Sequence, residues 1–75
     1  MQTYLNGDEV RLGDVVRWPS DEGKIVALEG DLPKWGLGKQ DATGKAMIKF
    51  EKAGLVCETT ASEDLQLIKR GEAAQ

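Results

Sequence analysis

Seventy-five residues, 40% of them hydrophobic, with a formal charge of −3, make one small domain and leave no room for a second core. The 13 acidic against 10 basic residues disfavour generic phosphate-backbone binding, which requires a basic surface. No apolar run approaches the roughly 18 residues of a transmembrane helix, and the single cysteine, Cys57, excludes an intramolecular disulfide. Small secreted domains usually need such staples, and Met1-Gln2-Thr3-Tyr4 lacks the basic and apolar regions of a secretory signal. The expectation is a cytoplasmic domain over residues 1–70 that touches no membrane, with 71–75 as a frayed tail.

Thr3-Tyr4-Leu5 running into Asn6-Gly7 reads as a short strand and a hairpin turn, because both turn positions tolerate positive φ. Glu9-Val10-Arg11-Leu12 alternates polar and apolar side chains like a half-buried strand, and Gly13-Asp14 punctuates it. In Val15-Val16-Arg17-Trp18 the inward face is taken as Val16 with Trp18, the choice that buries the larger apolar area. Pro19 ends that run, and Ser20-Asp21-Glu22-Gly23 reads as a polar turn closed by glycine. Residues 24–28 resume a strand with two open facings, Ile25 with Ala27 or Val26 with Leu28.

Residues 29–45 change character. Four glycines, Pro33 and scattered charges surround one aromatic, Trp35, in a loop long for so small a domain. Ala46, Ile48 and Phe50 then alternate onto one face of a strand, and Glu51-Lys52-Ala53-Gly54 reads as a hairpin connection. In the returning strand Leu55, Cys57 and Thr59 alternate against Val56 and Glu58. Ser62-Glu63-Asp64-Leu65 predicts a short helical turn with Ser62 as cap, and Leu67-Ile68 a closing strand. Five to six short strands with one helical turn near the C-terminus describe an all-β, small antiparallel barrel of SH3-like type.

Gly13-Asp14-Val15-Val16-Arg17, followed by Gly23-Lys24-Ile25-Val26, resembles the Gly-Asp-x-Val and Gly-x-Val pattern that opens many SH3-like barrels. The KOW and Tudor-like groups are among these. The segment from Ser62 to Ile68 is similar to the one-turn helix and last strand that close such barrels. Together, stretches 6–14, 50–55 and 63–68 also look like a group of small uncharacterised bacterial proteins. The resemblance implies a fold and attaches no activity. A Tudor-like cage needs several rings, whereas this chain has Tyr4, Trp18, Trp35 and Phe50, with Trp18 and Phe50 assigned to the core. Clustered aromatics for a Pro-rich ligand, and the basic loops of RNA-binding KOW domains, are likewise missing from the pattern.

Chemistry-bearing motifs reduce to ordinary structural roles. Histidine is absent, which removes the commonest general base and metal ligand. Cys57 sits mid-strand with no basic neighbour in sequence and reads as a buried structural thiol. Glu63-Asp64 is accounted for by electrostatics at a helix start. Asp21-Glu22 and Glu29-Gly30-Asp31 lack calcium-loop spacing, and the glycines at 36, 38 and 44 lack the P-loop pattern. No catalytic residue, metal or cofactor is expected.

The remaining candidate is the loop segment Lys34, Trp35, Leu37 and Lys39, with Lys45. Tryptophan flanked by lysines can anchor a protein partner or stack on a base, or else Trp35 folds back as a lid on a thin core. A non-enzymatic protein-binding module is the first reading, and a nucleic-acid accessory using Lys34, Lys39 and Lys45 is the second. Small barrels also expose edge strands, which allows a monomer or a weak homodimer.

Overall fold

The computed structural model describes residues 2–71, so residues 72–75 of the expected tail lie outside the described residues. Strands β1 (Val15–Trp18), β2 (Asp21–Ala27), β3 (Lys45–Phe50), β4 (Gly54–Thr59) and β5 (Gln66–Lys69) form one antiparallel sheet in the order β4-β3-β2-β1-β5. The chain is mostly β, as its patterning predicts, and the sheet is open, with β4 and β5 at its edges. A 3-10 turn (Leu32–Trp35) and the four-residue helix α1 (Lys39–Ala42) lie between β2 and β3.

Period-two patterning determines the inner face. Val16, Ile25, Ala46, Ile48 and Phe50 are buried there together with Tyr4, Val10 and Leu65. Trp18 lies at the rim of this cluster, stacked on Phe50 with ring centroids 4.0 Å apart and planes 20° from parallel. The inward pairing of Val16 with Trp18 therefore holds.

The open question of β2 resolves through a bulge. Ile25 pairs with Ile48, but Ala27 pairs with Met47, so the register slips at Val26 and the strand changes the face it buries. Ala27 and Met47 then join Leu32 and Ala42 in a second buried cluster, with Leu37 and Cys57 packed against it. The sheet is thus covered on its inner face throughout, and on its outer face by residues 29–45 at one end.

Three local readings need correction. Gly23 is buried in mid-strand, because Pro19 and Ser20 alone connect Trp18 to its partner Asp21. A Cβ at Gly23 would stand 2.8 Å from both Ile48 Cγ2 and Phe50 Cδ1, so this glycine serves close packing rather than a turn. Residues 9–12 do not form a strand; Thr3 and Glu9 make an isolated bridge, Val10 is buried, and Leu12 is exposed. The chain there enters a turn in which Asp14 N donates to Arg11 O at 3.2 Å. Near the C-terminus, Ser62 accepts from Asp64 N through its hydroxyl and from Leu65 N through its carbonyl, forming a single reverse turn. No helix propagates from it, because Leu65 is already committed to the core and β5 starts at Gln66.

Asp14, read above as a turn residue, is fully buried and accepts four hydrogen bonds. Oδ2 receives Tyr4 Oη at 2.7 Å, Arg11 N at 2.9 Å and the Arg70 guanidinium at 3.2 Å, and Oδ1 receives Gly71 N at 2.6 Å. Arg70 also donates to the Glu9 carbonyl. Gly71, assigned by sequence to the tail, is held against the turn so closely that a Cβ would overlap backbone atoms from Leu12 to Asp14. Burial, and then the hydrogen bond to Asp14, push the Tyr4 phenol well above its ordinary value.

A second carboxylate organises the opposite corner. Asp21 accepts from Glu22 N at 2.8 Å, Ala53 N at 2.9 Å and Lys52 N at 3.1 Å, and so closes the turn from β3 to β4. Desolvation alone would raise the Asp21 carboxyl, but the N–H groups of Ala53, Glu22 and Lys52, with the Lys52 charge, hold it below the usual carboxylate range.

Asp14→Ala should cost about 3 kcal/mol in urea unfolding, because it strands a buried phenol, two amides and a guanidinium without their acceptor. A loss no larger than that of an exposed-surface substitution would contradict this role. The depressed Asp21 carboxyl contributes stability that is fully present above its unfolded value near about 4 and is lost as pH falls through the folded value. Asp21→Asn should flatten that acid limb in urea midpoints followed from neutral to strongly acidic pH.

Candidate interaction surface

Residues 29–45 form a loop fastened at both ends and in the middle. At its neck Gly44 N donates to Glu29 Oε2 at 2.7 Å, while Glu29 N donates to Gln2 Oε1 at 3.2 Å. Gln2 Nε2 reaches Lys45 O at 2.7 Å, and Thr60, buried, donates from its backbone N to Gly44 O at 3.1 Å. Midway, Leu32 is fully buried against Ala27, Ala42 and Met47. Pro33, second in the 3-10 turn, suits its first turn with a fixed φ, and Gly36 ends it in the left-handed region at φ +94°. The loop is therefore held in shape by its own small core.

Leu32, and not Trp35, is the lid. Trp35 is 47% exposed at the end of the 3-10 turn, so about half of its surface is available to solvent. Lys34 beside it is exposed, with a long ion pair to Asp31 at 3.9 Å of the weak surface kind. Leu37 is half-buried at the margin of the second cluster. Lys39 is exposed at the start of α1 and borders a recess of about 220 Å³ shared with Glu29, Gly30, Pro33 and Thr43. Lys45 stands apart, half-buried at the start of β3 opposite Thr59. The loop thus presents Lys34, Trp35 and Lys39 at the surface, with Leu37 packed against the second cluster, while Lys45 belongs to the sheet.

The sequence offered Leu32 only through its place before Pro33 in a polar stretch, a signal too short to separate an anchor from an exposed loop residue. Cys57 is half-buried against the second cluster, which matches a packing role. Among the described residues no group of three Cys, Asp or Glu side chains is gathered as a metal site. No helix among them is long and apolar enough to cross a membrane. A larger groove of about 420 Å³, lined by Tyr4, Leu5, Asn6, Glu63 and Leu67 among others, shares no residue with the loop. No family model, no curated protein and no solved structure matches the chain.

With Trp18 changed to Phe, acrylamide should quench the remaining Trp35 emission to about half the extent seen for free tryptophan, in line with partial exposure. Full protection from the quencher would show that Trp35 is packed away and would remove it from the surface.

Proposed function

We propose that this chain is a non-enzymatic interaction module that engages a protein partner through the 29–45 loop, with Trp35 as the anchor. The observation that carries this reading is the combination at Trp35 of substantial exposure with a fixed mounting. Large aromatic side chains bind best when little entropy is lost on docking. Leu32 beneath, Gly36 behind and the Glu29–Gly44 neck remove most of that loss in advance. Lys34 and Lys39 supply charge at the rim, where it steers a partner's approach. The fold we propose for the module is SH3-like. Its support is the strand order, in which four consecutive hairpin neighbours are completed by a last strand returning beside the first. We place it in the cytoplasm, and the unpaired edges of β4 and β5 leave room for weak self-association.

The second reading is a nucleic-acid accessory, favoured by the exposure of Lys34 and Lys39 on either side of Trp35. Trp35→Ala should leave the urea midpoint almost unchanged and weaken capture of the partner by roughly tenfold or more, as expected for loss of a hot-spot aromatic. Pull-down from the source cells with wild type and variant side by side measures this, and equal recovery by both would sink the anchor. A low-salt mobility shift with single-stranded RNA that Lys34→Glu with Lys39→Glu abolishes would instead establish the second reading.

A further inference from the structure

The sheet register brings together five residues that no sequence spacing connects. Leu55 lies opposite Lys49, Lys49 opposite Lys24, Lys24 opposite Val15, and Val15 opposite Lys69. Directly opposed residues share a face, so these form one row across all five strands on the outer side of the sheet. The next row on one side, Ala27, Met47 and Cys57, lies under the 29–45 loop, while the lysine row and the row on its other side, Gln66, Arg17 and Glu22, stand outside that cluster.

The row is electrostatically unpaired. Lys24, Lys49 and Lys69 are all exposed, and among the described residues none makes an ion pair or a side-chain hydrogen bond. Like charges directly opposite on a sheet are destabilising, and here Lys24 faces Lys49 in a chain with 13 acids to choose from. None of those acids falls in the row. Its remaining members are aliphatic, Val15 half-buried and Leu55 54% exposed. Five strands at a spacing of about 4.8 Å give a row about 19 Å long, the span of roughly six extended residues.

We infer that this row is a docking strip for an acidic, extended segment of the protein partner, laid across the strands beside the Trp35 loop. Alternate residues of such a segment face the sheet, so carboxylates at those positions would complement the lysines, and an apolar residue at a sheet-facing position would cover Val15 or Leu55. A polypeptide fits better than a nucleic acid for two reasons. Successive bases need successive exposed rings, but Tyr4 and Phe50 are buried and Trp18 is stacked on Phe50, which leaves Trp35 alone. The row also lacks arginine, the residue suited to bidentate phosphate contacts, within a chain of net charge −3.

The inference deepens the protein-binding reading and rests on it, and the test separates the two. The probe is a fluorescein-labelled Glu-Ser repeat peptide of about twelve residues, followed by anisotropy at low and near-physiological salt. Binding should fall with salt, and Lys24→Glu with Lys49→Glu should weaken it by roughly tenfold or more, while Arg11→Glu with Lys52→Glu, matched in charge, leaves it unchanged. Lys24→Glu alone should raise Tm by roughly 2–4 °C, since it turns a like-charge pair into an opposite one. No peptide binding at low salt, equal loss in the charge-matched control, or a lowered Tm overturns the inference. A partner that is lost on Trp35→Ala but indifferent to the lysine reversal also overturns it and leaves the module reading standing. Oligo(dT) bound more tightly than the Glu-Ser peptide overturns both.

Discussion

A buried carboxylate is expensive unless donors surround it, and Asp14 is surrounded. Its four donors come from the N-terminal hairpin, the turn before β1 and the chain just after β5, three pieces remote in sequence. Hydrophobic burial alone does not specify such an arrangement, because apolar contacts are non-directional and tolerate slippage. The Asp14 geometry does. It fixes where Tyr4 enters the core and where β5 ends, and so determines which residues of β5 face β1.

The bulge at Val26 does comparable work for the sheet. Without it β2 would keep one buried face and one solvated face, as antiparallel strands of small domains commonly do. With it, Ile25 serves the main core while Ala27 serves the cluster under the 29–45 loop. The loop therefore has an apolar foothold on the side of the sheet opposite the main core, filled by Leu32, while Trp35 stays at the surface.

What could be read from sequence follows the range of the interactions involved. Val16 with Trp18, and Ala46 with Ile48 and Phe50, were legible because alternation within one strand is a local property. A turn near Asn6-Gly7 and the connection into β4 were legible for the same reason, with positive φ at Gly7 and Gly54, although Asn6 does not take the positive φ that a two-residue Asn-Gly turn requires. Gly23 was misread because a glycine that makes room for Phe50 looks identical, in one dimension, to a glycine that makes a turn. Asp14 and Gly71 gave no local sign of their pairing, 57 residues apart. Of the residues singled out from loop composition, Lys34, Trp35 and Lys39 are exposed. Lys45 was grouped with them by proximity in sequence, and the lysine row was invisible because it exists only once the register is known.

The division into two apolar clusters on opposite faces of the sheet has a consequence for how the molecule can vary. Leu32, Ala42 and Met47 hold the loop, while the cluster around Val16 and Ile48 holds the remainder, and the sheet itself lies between them. Openings of the loop need not propagate into the main core, so the two regions can exchange amide hydrogens as separate cooperative units. A scaffold partitioned in this way can accept new residues in the 29–45 loop while its main core stays intact, which separates change at that surface from the maintenance of stability.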